Sequence, residues 1–162
     1  MPLYIARHGV SRANDHNDPA FGTPNADLLK AGVDQAVSMG EKFEHLGFDR
    51  PETPVAVSYM KRSQQTALAA GFHILKPYRL LNELDLTPAE KMAAKYSHRL
   101  PLESLQQTEA LLNNPPQEKI WHTHGLRAAC IFKILDIYQD ADDPFIMSFC
   151  EIREIPIGQS GN

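Results

Sequence analysis

Leu3-Tyr4-Ile5-Ala6-Arg7-His8-Gly9 opens the chain with an apolar run that stops at an arginine, a histidine and a glycine. Four consecutive apolar residues closed by such punctuation predict a strand buried on both faces, as in the middle of a parallel sheet. The pattern returns far downstream, where Ile120-Trp121-His122-Thr123-His124-Gly125 again carries a strand into His-Gly. Two histidines at strand ends, each followed by glycine and accompanied by separate arginines, predict one phosphate site assembled from distant segments.

Between these strands the chain alternates. Val10 to Asn25 is rich in Asn, Asp, Gly and Pro and is expected to be loop. Apolar spacing predicts a helix over 29–46, a buried strand at Val55-Ala56-Val57-Ser58, and a helix from Lys61 to Ala70 ended by Gly71. A strand is expected around Tyr78-Arg79-Leu80-Leu81, then helices from Pro88 to Tyr96 and from Leu102 to Leu112, the second stopped by Pro115-Pro116. The strand at 118–123 leads into a helix from Leu126 to Tyr138 with Leu126, Cys130, Ile134 and Tyr138 on one face. Phe149 to Ile157 reads as a last strand, with a frayed tail from Gly158 to Asn162. Strands alternating with helices predict an α/β sandwich with a mostly parallel sheet. Ligands of such sheets sit beyond the carboxyl ends of the strands, where Arg7-His8-Gly9, Ser58 onward and His124-Gly125 all fall.

Composition narrows the class. A chain of 162 residues with 43% hydrophobic and 22% charged residues fits one globular domain, 1–162, without an evident linker or repeat. The net charge of −4 argues against a nucleic-acid partner, although a local cluster of arginines can still form a phosphate pocket. Cys130 and Cys150 are the only cysteines and are expected to be reduced core residues. No stretch approaches the roughly 18 apolar residues of a membrane span, and the N-terminus lacks the features of a signal peptide. A soluble, cytoplasmic setting without a membrane partner is expected.

Longer motifs sharpen this reading. Arg7-His8-Gly9-Val10-Ser11-Arg12-Ala13-Asn14 resembles the signature Arg-His-Gly-x-Ser-x-x-Asn of the histidine phosphatase superfamily, phosphoglycerate mutase-like branch. Leu28-Leu29-Lys30-Ala31-Gly32-Val33-Asp34-Gln35-Ala36 is similar to that family's Leu-Thr-x-x-Gly-x-x-Gln-Ala. Ser58-Tyr59-Met60-Lys61-Arg62-Ser63-Gln64-Gln65-Thr66-Ala67 resembles its Ser-Pro-Leu-x-Arg-Ala-x-Gln-Thr-Ala, and Thr123-His124-Gly125 its second-histidine motif. The resemblance implies a three-layer α/β/α sandwich with a short helical cap around 85–115.

It also implies roles. His8 would be the nucleophile, since a neutral imidazole attacks phosphorus near neutral pH. Arg7 and Arg62 would hold phosphate oxygens, and His124 would donate to them, without a metal or other cofactor. Gly9 would let phosphate approach; Ser11, Asn14 and Gly125 would complete the binding wall. Glu83 would be the proton donor, with Asp85 its rival. His122-x-His124 could pair on a metal, but a regular strand is expected to turn His122 to the opposite face. Lys91, Lys95, His98 and Arg99 are solvated charges or line the entrance, and Arg12 is solvated.

The departures are specific. Leu29 stands where the family has a capping Thr, at a cost of roughly 1 kcal/mol unless Asp27 substitutes. Tyr59 replaces a Pro, and Leu126-Arg127 follow the second His-Gly. The short cap favours hydrolysis over transfer. The expectation is therefore a phosphomonoesterase acting on a phosphorylated small molecule or phosphoprotein, as a monomer or homodimer. The alternatives are a mutase-type phosphotransferase and a weakly catalytic phosphate-binding module.

Overall fold

A computed structural model describes residues 2–137 and 146–156. The chain runs β1 (Leu3–Arg7), α1 (Lys30–His45), β2 (Pro54–Val57), α2 (Lys61–Ala69), β3 (Ile74–Pro77), α3 (Pro88–Ser97), α4 (Leu102–Asn113), β4 (Ile120–Thr123), α5 (Gly125–Leu135) and β5 (Ile152–Ile155). The sheet order is β3-β2-β4-β1-β5. β3, β2, β4 and β1 are parallel, while β5 lies antiparallel on the β1 edge.

Strand alternation splits the core into two layers. Tyr4, Ala6, Val55, Val57 and Ile120 pack on the α1/α2 side against Met39, Phe43 and Phe72. Leu3, Ile5, Ala56 and Trp121 face the other side with Leu111, Ile131 and Phe132. The result is the expected α/β sandwich. α5 differs from the one-faced helix predicted, since its first two turns are buried all round. Its Ala128, Ile131 and Phe132 meet the sheet, whereas Leu126 and Cys130 join Leu84 and Ala94 beneath the cap. Tyr138, Ile157 and the tail from Gly158 lie outside the described residues.

Two boundaries move for physical reasons. The strand expected at 78–81 lies earlier, with Ile74 to Pro77 paired to Pro54 to Val57. After Tyr78 N donates to Val57 O at 2.8 Å, a 3-10 turn over Arg79–Leu81 drops Leu81 into the core. The apolar pair Leu80-Leu81 serves as a plug rather than a strand. The last strand is shorter than Phe149–Ile157, because Phe149 and Cys150 form a turn at the sheet edge. Cys150 adopts φ 56°, and its N–H donates to Arg7 O at 3.1 Å.

Helix starts follow the residues available. Thr87 and Glu90 close a capping box on α3, with Pro88 in its first turn. Leu29 caps α1 without a side-chain bond. Asp27 does not substitute, since its carboxylate is held by Lys61 at 2.6 Å and Gln65 at 3.0 Å. α1 is positioned instead by close backbone contact. A Cβ on Gly32 would stand 2.1 Å from Val10 O, and one on Gly9 would stand 2.6 Å from Gly32 O. Gly9 is thus required by helix packing.

His122 is fully buried on the α1/α2 side, edge-on to Phe43 and Phe72, with both ring nitrogens unpartnered. Residues two apart in a strand share a face, so alternation does not turn it away from His124. It lies one rung deeper, enclosed by aromatic rings. Burial pushes its pKa down to about 3. The unfolded chain therefore takes up a proton below pH 6.5 that the folded chain refuses, so this residue destabilises the fold as pH falls through that window. By pH 5 the loss is about 2 kcal/mol for one such histidine. His122→Leu is expected to remove about one proton's worth of slope from unfolding free energy against pH between 6.5 and 5, measured by urea titration. An unchanged slope would show that His122 protonates in the folded protein.

Candidate active site

β1 and β4 run side by side with Arg7 opposite Thr123, so His8 and His124 leave the sheet together. Their ring centroids are 5.0 Å apart. His8 is 2% exposed, and its Nδ1 lies 2.6 Å from Gly9 O. A carbonyl can only accept, which assigns the proton to Nδ1 and leaves Nε2 unprotonated, as an acceptor. Arg62 Nε donates to that nitrogen at 3.3 Å. Burial, then the charges of Arg62 and Arg7, push the His8 pKa down to about 3, so it stays a free base near neutral pH.

His124 is held from the next strand. Ser58 Oγ lies 2.8 Å from His124 Nε2 and accepts from Met60 N at 3.1 Å. The serine hydroxyl can donate to Nε2 or accept from it, so this contact fixes the ring's position and not its tautomer. The ring's Nδ1 is buried without a partner. Burial first, then repulsion from His8, Arg62 and Arg7, holds the pKa of His124 well below the ordinary value.

The arginines are unusual in what they lack. Arg12, Arg50 and Arg153 each pair with a carboxylate. Among the described residues, neither Arg7 nor Arg62 has a carboxylate within 4.0 Å. Arg7 Nη1 donates to Met147 O at 2.6 Å and its guanidinium lies 4.1 Å from the Phe149 ring centre, but its Nε is buried and unpartnered. Arg62, 6% exposed, spends Nη1 on Thr23 O at 3.1 Å. Burial lowers the pKa of both, and the charge of Glu83 partly restores each. Buried cations and orphaned donors are costly unless an anion completes them. Arg7 and Arg62 line a cleft of about 330 Å3, whereas His8 and His124 are buried behind its wall, 2% and 0% exposed, with Arg62 Nε reaching His8.

Glu83 lines the same cleft at the start of α5. Its Oε1 accepts from Leu84 N and Arg127 N, both at 3.0 Å, and Oε2 accepts from Leu126 N at 3.2 Å. Asp85 is also on the wall, but Glu83 is the carboxylate whose charge reaches Arg7 and Arg62. Asn14 and Gly125 line the cleft. Ser11 stands behind Asn14, fully buried, and donates from Oγ and N to Asn14 Oδ1 at 2.8 and 3.0 Å. That leaves the Asn14 amide NH2 as its donor. Gly9 is off the wall, with its N–H given to Thr66 Oγ1 at 3.0 Å. Lys91 and Lys95 reach the entrance, His98 and Arg99 do not, and Arg12 is tied to Asp18 at 2.9 Å.

Other contributors carry no role in the sequence reading. Ser58 orients His124, Thr66 orients Gly9, and Phe149 covers both Arg7 and His8, its ring centre 5.9 Å from that of His8. Ser58 and Thr66 lie inside the motif around Arg62, whereas nothing near Phe149 in sequence announces it.

A parallel sheet whose carboxyl edge gathers two neutral histidines and two uncompensated arginines defines an anion-handling α/β protein. The chain belongs to the histidine phosphatase superfamily, branch 1, whose family model matches residues 3–136. Membership covers phosphatase or mutase activity. No curated protein matches the sequence. Among solved structures, a phosphoglycerate mutase from Thermus thermophilus aligns at 19% identity over 96% of this chain and 93% of its own, with a TM-score of 0.69. The product of Rv3214 from Mycobacterium tuberculosis aligns at 16% identity over 94% and 89%, with a TM-score of 0.63. At such identities the likeness is one of fold. No helix among the described residues is long and apolar enough to cross a membrane.

Inorganic phosphate is the simplest probe of the orphaned donors. At about a hundredfold over its Kd it should stabilise the protein by about 2.7 kcal/mol, visible as a rise in Tm. Arg62→Ala or Arg7→Ala should remove most of that rise. A Tm unmoved by phosphate would mean the cleft does not take the anion.

Proposed function

We propose that this chain hydrolyses phosphomonoesters through a phosphohistidine on His8, without a metal. The observation that carries this reading is the fixed tautomer of His8. Nδ1–H is locked on Gly9 O at 2.6 Å, so Nε2 is the basic nitrogen, and its one bond, accepted from Arg62 Nε at 3.3 Å, is one that an incoming phosphoryl group would take over. The nucleophile needs no deprotonation step, and the charge it must handle is met by groups already in place.

In the first step His8 Nε2 forms a bond to phosphorus as the ester P–O bond breaks. Arg7, Arg62 and, in the tautomer with its proton on Nδ1, His124 hold the equatorial oxygens. The departing oxygen takes a proton from protonated Glu83 and leaves as the alcohol. In the second step Glu83, now a carboxylate, takes a proton from water while the oxygen of that water bonds to phosphorus. The P–N bond breaks, its electron pair returns to Nε2, and phosphate leaves. Glu83 has oxygen lone pairs beyond the three used by backbone N–H groups, and these carry the proton.

The entrance supports hydrolysis over transfer. Among the described residues between Glu83 and β4, α3 brings Lys91 and Lys95 to the cleft wall and α4 brings none, a light cover that leaves the phosphoenzyme open to water. A cleft of about 330 Å3 suits a phosphorylated small molecule or one phosphorylated side chain.

Nitrophenyl phosphate should be turned over in the presence of EDTA, with no measurable turnover by His8→Ala. A quench in alkaline detergent should trap an acid-labile, base-stable phosphoryl label on wild type alone. Glu83→Gln should slow alkyl phosphates by about 100-fold or more and nitrophenyl phosphate far less, because nitrophenolate leaves without a proton. Phosphorylation of His8 without release to water would redirect the reading to a phosphotransferase.

A further inference from the structure

Arg127 sits in the first turn of α5, 3% exposed, where a buried cation has no evident purpose. Among the described residues it has no carboxylate within 4.0 Å. Its guanidinium makes three directed bonds instead. Nε donates to Asn82 O at 3.0 Å, Nη1 to Thr108 Oγ1 at 2.8 Å and Nη2 to Gln107 Oε1 at 3.4 Å. Its backbone N–H meanwhile donates to Glu83 Oε1 at 3.0 Å.

Arg127 thus grips Glu83 from both ends, with the carboxylate on its N–H and the peptide immediately before Glu83 on its side chain. Thr108 and Gln107 belong to α4, so the grip is anchored in the helix packed beside α5. Asn82 extends it further, because its Oδ1 accepts from Tyr59 N at 2.8 Å, at the start of the loop leading to Arg62. One buried guanidinium therefore ties α4, the turn before Glu83 and, through Asn82, the loop before Arg62. Thr108 is itself fixed by donating to Ser104 O at 2.8 Å, so the anchor has one orientation.

The geometry points to Arg127 as the positioning residue for the proton-transfer step, setting where the Glu83 carboxyl stands and coupling it to α4. This rests on the phosphatase reading above and adds to it a device outside the cleft itself. Glu83 must reach the leaving oxygen within hydrogen-bond distance, and a displacement of about 1 Å is enough to cost on the order of 100-fold. A hydrophobic residue at 127 would fill the volume but leave Asn82 O and Thr108 Oγ1 without their donor, and the turn carrying Glu83 would lose its tether.

The readout is the dependence on leaving group. Arg127→Met should reduce kcat on an alkyl phosphate at least tenfold more than on nitrophenyl phosphate, and the phosphate-induced rise in Tm should persist. Thr108→Val, which removes a single anchor and is the gentler change if Arg127→Met folds poorly, should show the same bias at about threefold. In a Glu83→Gln background Arg127→Met should add no further leaving-group bias, because the group it positions can no longer transfer a proton. Equal losses on both esters, or additive losses in the double variant, would overturn the positioning role while leaving the phosphatase reading intact. A wild type that turns over neither ester would overturn the phosphatase reading, and the inference with it.

Discussion

The register of β1 against β4 is the constraint on which the site depends. With Arg7 opposite Thr123, the next residues of both strands leave the sheet at the same height, and His8 N donates to Thr123 O at 3.3 Å. A slip of one residue would exchange the two faces of β1, sending Tyr4, Ala6 and His8 away from α2. That slip is opposed by packing far from the cleft, since Tyr4 lies edge-on to both Phe43 and Phe48. The position of the nucleophile is inherited from an aromatic core that never touches a ligand. The same holds for the approach of α1, where two glycines let backbone meet backbone beneath His8.

The electrostatics follow from this burial. His8 and His124 are kept neutral because burial and nearby guanidiniums both disfavour their protonated forms. Arg7, Arg62 and Arg127 retain their charge by donating to backbone carbonyls of Met147, Thr23 and Asn82 instead of to carboxylates. Carbonyl dipoles satisfy hydrogen bonds without cancelling net charge, so a positive field survives inside a chain of net charge −4. Direct carboxylate partners would stabilise the empty site and compete with an incoming anion. The arrangement gives up some stability in the unliganded protein to hold a field for phosphate.

What could be read in the sequence was whatever has a local signature. Strands closed by His-Gly, a proline-started α3 and a periodic α1 all carry their instructions within a few residues, and the structure places them within a residue or two of expectation. The motifs around Arg7, His8, Arg62 and His124 lie at one end of the sheet, where Arg7 and Arg62 line a cleft with Glu83, a residue outside those motifs, and the two histidines are buried behind it. The misreadings share one cause. Leu80-Leu81 mimics a strand because a core plug and a strand are equally apolar over two residues. The packing role of Gly9 was missed because its neighbour, Gly32, is 23 positions away and invisible to local pattern. Ser11 belongs to the same motif as Asn14, yet only the folded turn shows that one residue supports the other. Phe149 and Arg127 act through contacts set by tertiary packing, and no short pattern announces those.

The start of α5 explains why the arginines must stand alone. A helix N-terminus is a natural anion site, and this one begins at His124, behind the cleft wall. Its Leu126 and Arg127 N–H groups are already taken by the Glu83 carboxylate. The partial positive charge of the helix is therefore committed to fixing Glu83 rather than to receiving phosphate. The uncompensated charge at the cleft is that of Arg7 from β1, whose guanidinium lies against Gly125 at the start of α5, and of Arg62 from α2. Under the proposed mechanism, proton transfer and phosphate binding fall to different elements that are linked through Asn82, which meets both the Arg127 side chain and the loop before Arg62.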